Sequence, residues 1–307
     1  MLSIAIPSRN EKFLKQTILD VLKNATGDIE IFPILDGYEI PKEEIVEDSR
    51  VHYLSIPLGD KKCHKRQGIN MMVEICKGEY VMSLDAHCMV AKGFDERLAK
   101  DHGGDNWVQI PRRHRLDAEN WSIQTQVDDR PPIDYEYVMF PLNYHPTSGS
   151  PSRPKEPKKE YYPAIHGFKW DKRTLERLNI PIDETMTFQG SCWFMTKNHF
   201  KKINLMQIEG YSGWGQEAEE IGFKTWRAGG KVVTNKNTWY AHLHKGSKYG
   251  RMYRMPKEST TDCNKYSYNY WINENKVFFI KFIEKFWPVP NWPADWKELL
   301  YSGKWSQ

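Results

Sequence analysis

A chain of 307 residues with 39% hydrophobic content is long enough for one large α/β domain with extensions, and apolar enough to build its core. Its 44 basic and 40 acidic residues leave a net charge of +4, too near balance for nucleic-acid binding to be the whole function. Five cysteines, Cys63, Cys76, Cys88, Cys192 and Cys263, are odd in number and form no CxxC pair, which argues against a disulfide scaffold and against a zinc site. With no leader sequence and no apolar run long enough to span a bilayer, this predicts a reducing, cytoplasmic setting without a membrane span.

Leu2–Ile6 predicts a short strand stopped by Pro7, with Ser8, Arg9 and Asn10 in the turn after it. Phe13, Leu14, Ile18, Val21 and Leu22 then recur at helical spacing, and Ile29–Leu35 predicts a second strand closed by Asp36-Gly37. Strand, helix and strand in that order predict a parallel sheet. A third strand is expected over Val51–Ile56, a helix from Lys65 to Cys76, and a buried strand over Tyr80–Leu84. Trp107–Pro111 predicts another strand, followed by the basic run Arg112-Arg-His-Arg115. Residues 145–160, rich in Pro, Ser and Lys, read as a mobile loop over a cleft. Strand character returns at Gly190–Thr196, a Gly/Trp turn at Tyr211–Gly215, a helix over Glu217–Arg227, and a strand beginning at Val232-Val233. The tail from about 264 carries an amphipathic helix and then Trp287, Trp292 and Trp296; so many aromatics are costly in water and predict packing on the body.

Chemistry concentrates where Tyr80–Leu84 ends. Residues two apart on a strand point the same way, so Asp85 and His87 can face one ligand at the carboxyl edge, where open α/β sheets bind ligands. One carboxylate and one imidazole suit a divalent cation such as Mn²⁺, and His242 or His244 can complete the set. Asp36 closes the second strand at the same edge, and Arg9, Lys65 and Arg66 are cations near it, suited to a base or a diphosphate. In Gly213-Trp214-Gly215-Gln216-Glu217 the glycines allow a tight turn, Trp214 offers a flat plate to a sugar ring, and Glu217 sits at a helix start that favours its ionised form. Neither a G-x-G-x-x-G fingerprint nor a Walker loop is present, which argues against a dehydrogenase or a P-loop enzyme.

These residues resemble the GT-A glycosyltransferases, from Leu2–Pro7 through Asp36, Arg66 and Asp85-Ala86-His87 to about His244. The N-terminal half is similar to the family-2 group. Asp85-Ala-His87 and the Trp214-Gly-Gln-Glu-Ala-Glu-Glu220 helix start resemble the polypeptide N-acetylgalactosaminyltransferases, with their Asp-x-His and Trp-Gly-Gly-Glu-Asn-Leu-Glu. The resemblance implies a Rossmann-like GT-A domain over 1–245, with a mostly parallel central sheet flanked by helices, a nucleotide-sugar half at 1–110 and an acceptor half at 111–245. An aromatic-rich helical extension follows at 246–307. It implies Mn²⁺ (or Mg²⁺) on Asp85, His87 and His242, and a nucleotide, uridine diphosphate, held by Asp36 and Arg66 with Pro7, Arg9, Lys65 and Ala86 along the same edge. Glu217 and Trp214 are expected beside the donor sugar and the acceptor, which is a glycan, a protein or a modified nucleic acid. Gln216 and Ala218 depart from the two family patterns and leave the stereochemical outcome open. Two further classes stand beside this one: a nucleotide-sugar-binding protein without transfer, and a transferase for modified DNA bases that uses basic loops around Arg112, Arg113 and Arg115.

Overall fold

The fold comes from a computed structural model that describes residues 1–57, 59, 62–124, 131–143, 163–211, 213–250 and 257–302. The loop expected over 145–160 lies outside the described residues. The first half alternates strand and helix. Strands β1 (Leu2–Ser8), β2 (Ile29–Asp36), β3 (Leu54–Ile56) and β4 (Tyr80–Leu84) are separated by helices α1 (Leu14–Asn24) and α2 (Lys65–Ile75). A hairpin-like return, β5 (Cys88–Val90), leads into α3 (Phe94–Lys100) and the long β6 (Trp107–Asp117), then β7 (Ser122–Ile123). After β8 (Glu136–Val138), β9 (Gly167–Lys169), α4 (Asp171–Glu176) and β10 (Ile182–Glu184) come β11 (Cys192–Thr196) and α5 (Lys197–Lys202). The chain then forms α6 (Glu217–Arg227) and β12 (Lys231–His242), and ends in α7 (Gly246–Tyr249), α8 (Lys257–Tyr268), α9 (Lys276–Phe286) and α10 (Trp296–Tyr301).

The main sheet runs β10-β12-β6-β11-β4-β1-β2-β3. β3, β2, β1 and β4 are mutually parallel. β11 enters antiparallel between β4 and β6. Two antiparallel steps restore the original direction, so β6 and its parallel partner β12 end at the same edge as β4. That edge gathers Ser8, Asp36, Leu84 and His242.

Three elements differ from their sequence expectations. β1 continues through Pro7 to Ser8, because its pairing with β4 ends at Ala5; beyond that point only β2 is bonded, and a missing N–H is tolerated on an unpaired side. The third strand shrinks to Leu54–Ile56, with Val51 making a single bridge to Ile31. β6 does not stop at Pro111 but carries Arg112–Arg115 within it. The basic run is therefore strand rather than loop.

One apolar core lies between the main sheet and its flanking helices. A second, mostly aromatic, joins Tyr135–Leu142 to Trp271, Phe279, Phe282, Trp292 and Trp296 of the tail. Helix α6 serves both: Ala218 and Ile221 face the first core, Phe223 and Trp226 the second. Trp271 anchors the tail. It is fully buried, donates from Nε1 to Tyr211 Oη at 3.0 Å, and meets Phe223 edge-on at 5.1 Å. Trp271→Ala is expected to cost about 3–5 kcal/mol of stability, read as a lower urea midpoint, while Trp271→Phe costs a fraction of that.

Candidate functional site

Just past the end of β4, Asp85 and His87 line a cavity of about 780 Å³ at the carboxyl edge of the sheet. Asp85 is fixed at once, its N–H donating to Ser191 O at 2.8 Å. The chain then turns through Ala86 and His87 into β5, which runs antiparallel to the end of β12, with Cys88 opposite His242. The backbone bond from Leu243 N to His87 O, 3.1 Å, completes that pairing. Two histidines 155 positions apart are thereby brought face to face: His87 Nε2 and His242 Nε2 are 3.1 Å apart, and Asp85 Oδ2 is 3.6 Å from His242 Nε2.

These three groups fit a metal ion. Their ligand atoms lie within 4.8 Å of one another. Two ligands about 2.1 Å from one ion and at right angles stand about 3 Å apart, and wider angles stretch this toward 3.5 Å. Two ring nitrogens pointed at each other in a buried place lack a satisfying arrangement by themselves, whereas an ion between them uses both lone pairs. Burial holds His242 down to about 4 and neighbouring His87 adds to this, with Asp85 opposing, so the imidazole is neutral as a ligand must be. His244 stands edge-on to His242 with ring centres 5.0 Å apart and is not in the three-ligand cluster. Behind His87, Nδ1 stands 3.5 Å from Glu11 Oε2, and Glu11 is ion-paired with Lys245.

The residues expected at a nucleotide fall into two groups. Lys65, the first residue of α2, donates to Asp85 Oδ1 at 2.8 Å and to Gly190 O at 3.0 Å. Burial alone would push the Asp85 carboxyl up, but Lys65 and the two histidines hold it far below the usual carboxylate range. Asp36 accepts from His64 N at 2.9 Å, stands 2.8 Å from His64 Nδ1, and pairs with Arg9 at 3.3 Å. Pro7, Arg9, Asp36, Lys65 and Asp85 all line the cavity.

Arg66 and Ala86, expected at the nucleotide from the sequence, stand apart from this group. Neither is among the lining residues. Ala86 is buried beneath the turn. Arg66 is the second residue of α2, and one helical step turns it about 100° from Lys65, under the loop before α6. There it pairs with Glu220, donates to Gly215 O at 2.9 Å, and lies 4.2 Å from the Tyr211 ring centre.

That loop forms the opposite wall. Gly215 has φ +108°, a conformation that other residues rarely adopt, and Gln216 is left-handed at φ +65°. The two turns aim the first turn of α6 into the cavity, where Trp214, Glu217 and Glu219 all line it. Trp214 is 39% exposed, whereas Glu217 is buried and accepts from Gly215 N at 3.3 Å. Further along, the wall is made by Gly190, His166, Gly167, Glu136 and Glu219. Burial pushes the Glu219 carboxyl up to about 7, and the charges of Glu136 and Glu217 add to it.

Sequence reasoning missed Glu11, His64, Glu136, His166 and Glu219. Only Glu219 carried a signal, as an acid in the first turn of a helix whose neighbour had already been singled out. The basic run is largely neutralised in place: Arg112 makes two bonds to Asp134, at 2.9 and 2.7 Å, and Arg113 is buried against Glu136.

Among curated proteins no sequence matches. Among solved structures the chain is similar to GalNAc-T7, crystallised with UDP, GalNAc and Mn²⁺: TM-score 0.62 and 16% identity, over 93% of this chain and 56% of that one. The chain therefore spans just over half the length of that relative, and the likeness is one of fold. S. aureus TarS is matched at TM-score 0.49 and 12% identity, over 80% of this chain and 37% of that one. Its fragment 1–349 is matched at 0.47 and 11%, over 78% and 60%. Among the described residues no helix is long and apolar enough to cross a membrane. A sequence profile for glycosyl transferase family 2 matches residues 3–203, which include β1, Asp36, Lys65 and the Asp85-Ala86-His87 turn. With a GT-A-like sheet and an Asp/His/His cluster at its carboxyl edge, this chain belongs to glycosyl transferase family 2.

Proposed function

We propose that the chain is a metal-dependent glycosyltransferase that moves a sugar from a UDP-sugar to an acceptor bound at the far side of the same cavity. The observation that carries this reading is the convergence of Asp85, His87 and His242 at the sheet edge, inside a cavity of the size that ligand sites have. These three would hold Mn²⁺ (or Mg²⁺), which when bound supplies positive charge against the leaving diphosphate. The cavity follows the sheet order. β2 with Asp36 lies two strands to one side of β4, and β6 with Arg113 two strands to the other, each about 10 Å away at about 4.8 Å per strand. The base and ribose then belong with Asp36, Arg9 and Pro7, the diphosphate with Lys65 and the Asp85 turn, and the sugar with Trp214 and Glu217. Lys65 adds a second fixed positive charge at the diphosphate, already oriented by Asp85 and Gly190.

The test is release of nucleoside diphosphate from UDP-, GDP- and dTDP-sugars, with Mn²⁺ and then with chelator. Release from a UDP-sugar is expected, falling on the order of 10³-fold on chelation, since metal stabilisation of several kcal/mol is worth about tenfold per 1.4 kcal/mol. A rise in melting temperature with UDP-sugar but no release would mark a binding protein without transfer. Release unaffected by chelator would remove the metal from the reading.

A further inference from the structure

On the β6 side of the cavity the wall holds three carboxylates and two are unlike the rest. Asp36 is paired with Arg9, Asp85 with Lys65, Glu11 with Lys245, and Glu136 with Arg113. Among the described residues no lysine or arginine reaches Glu217 or Glu219 at ion-pair distance. Glu217 is held by the N–H of Gly215 within its own loop. Glu219 is anchored from a different element: the N–H of Gly167, at the start of β9, donates to its Oε1 at 3.2 Å. Across Gly167 stands Glu136, whose Oε1 is taken by Arg113 while its Oε2 looks back toward Gly167. A methyl group placed on Gly167 would lie 3.4 Å from both Glu136 Oε2 and Glu219 Oε1. A side chain there would occupy the gap between the two carboxylates, and glycine keeps it open to the cavity.

Resting on the transferase reading above, we propose that Glu219 is the residue that takes the proton from the acceptor hydroxyl. The acceptor oxygen forms its bond to C1 of the donor sugar as its proton passes to the Glu219 carboxylate. The bond from C1 to the diphosphate oxygen breaks, and its electron pair leaves with the diphosphate. Attack from the β6 side, opposite a diphosphate at Lys65, inverts the configuration at C1. The groups facing Glu219 suit it to the task. They are Glu136 from β8 with its partner Arg113 from β6, Glu217 from its own helix and Cys263 from α8, while His166, just before β9, lines the same wall. Burial with two nearby carboxylates sets it at about 7, where a base is partly free and still basic enough to accept a proton. The N–H groups of the first turn of α6 steady the ionised form.

The experiment uses the full chain with Mn²⁺ and a UDP-sugar that the wild type turns over, with water as acceptor, and follows UDP release against pH for wild type, Glu219→Gln and Glu219→Asp. Wild-type turnover is expected to rise with pH through about 7. In Glu219→Gln that rise disappears and kcat falls about 10²–10⁴-fold, while UDP affinity by calorimetry stays within about twofold, as for a group that does not touch the nucleotide. Glu219→Asp keeps the pH dependence at a reduced rate. Azide, a nucleophile with no proton to lose, restores turnover to the Gln variant and gives an inverted glycosyl azide. An unchanged rate and pH profile in Glu219→Gln, or a sugar product of retained configuration, overturns the assignment and leaves the transferase reading standing. A wild type that releases no nucleotide from any donor overturns both.

Discussion

Replacing Asp85 by alanine is expected to remove turnover by at least about 10³-fold and to abolish tight Mn²⁺ binding. The residue serves two partners at once. Its Oδ2 faces His242 in the cluster proposed to hold the ion, and its Oδ1 accepts from Lys65 at 2.8 Å. Loss of the carboxylate thus takes away the only anionic ligand of the cluster, and with it most of the attraction for a hard divalent cation. It also leaves the Lys65 ammonium with Gly190 O and the more distant Glu217. Removing one partner of a buried pair costs about 3–5 kcal/mol. The Asp85 side chain is 23% exposed toward the cavity, so the lower end applies. The binding arm is read by the electron paramagnetic resonance signal of free Mn²⁺ and needs no donor or acceptor. Asp85→Asn separates the effects, because it retains a hydrogen-bond acceptor for Lys65 while losing the charge. A variant that binds Mn²⁺ as tightly as wild type would place the ion elsewhere.

The second large effect is structural and sits at Arg66. Its ion pair with Glu220 is among the most enclosed in the molecule, the two side chains being 4% and 1% exposed. Glu220 is shared with Lys224 at 2.6 Å and with the N–H of Gln207 at 2.7 Å, so the network ties α2, α6 and the segment before the Gly/Trp turn. Arg66→Ala opens a void under Tyr211 and leaves the Gly215 carbonyl with only the weak Cys263 thiol as donor. About 3–5 kcal/mol of stability is expected to be lost, lowering the melting temperature by about 6–10 °C at roughly 2 °C per kcal/mol for a chain of this size. Arg66→Lys recovers little, because an ammonium cannot serve Glu220, Gly215 and the Tyr211 ring with one planar fork. The double change Arg66→Met with Glu220→Met recovers little either, because it takes away the carboxylate that also serves the buried Lys224 ammonium and the N–H of Gln207. UDP affinity is expected to change less than tenfold, because Arg66 stands behind the wall and not on it. A larger loss, with stability intact, would return the residue to the nucleotide.

What the sequence made legible were the features with strong periodicity or tight spacing. The alternation of strand and helix up to β4 gave the parallel half of the sheet, and the boundaries Glu217–Arg227 of α6 were read to the residue. Asp85 and His87 were visible because a single residue, Ala86, separates them on a strand-end turn. The antiparallel insertion of β11 was not visible, since a strand carries no mark of its direction. Glu136 was hidden for a different reason: it sits in a three-residue strand within a stretch of mixed charge and aromatics, too short to show a period. Helical spacing gave no sign of Glu219. Residues 217 and 219 fall on different sides of a helix seen along its length, yet both face the cavity because the helix points into it end-on. Arg66 shows the converse, a cation chosen for its place in the sequence that the turn of α2 carries out of the cavity.

The pairing of β5 with β12 has a consequence for synthesis. Asp85 and His87 leave the ribosome long before His242, and no sequence-local event brings the three together. A nascent chain that has emerged only as far as Arg227 holds the first two ligands on an edge where β12 has yet to dock, and so does a prematurely terminated one. On the proposed reading such incomplete chains lack the third ligand and are expected neither to hold the cation tightly nor to consume a nucleotide-sugar. The last strand added to the sheet would then act as a completion signal, with turnover expected only from a molecule whose main sheet is finished.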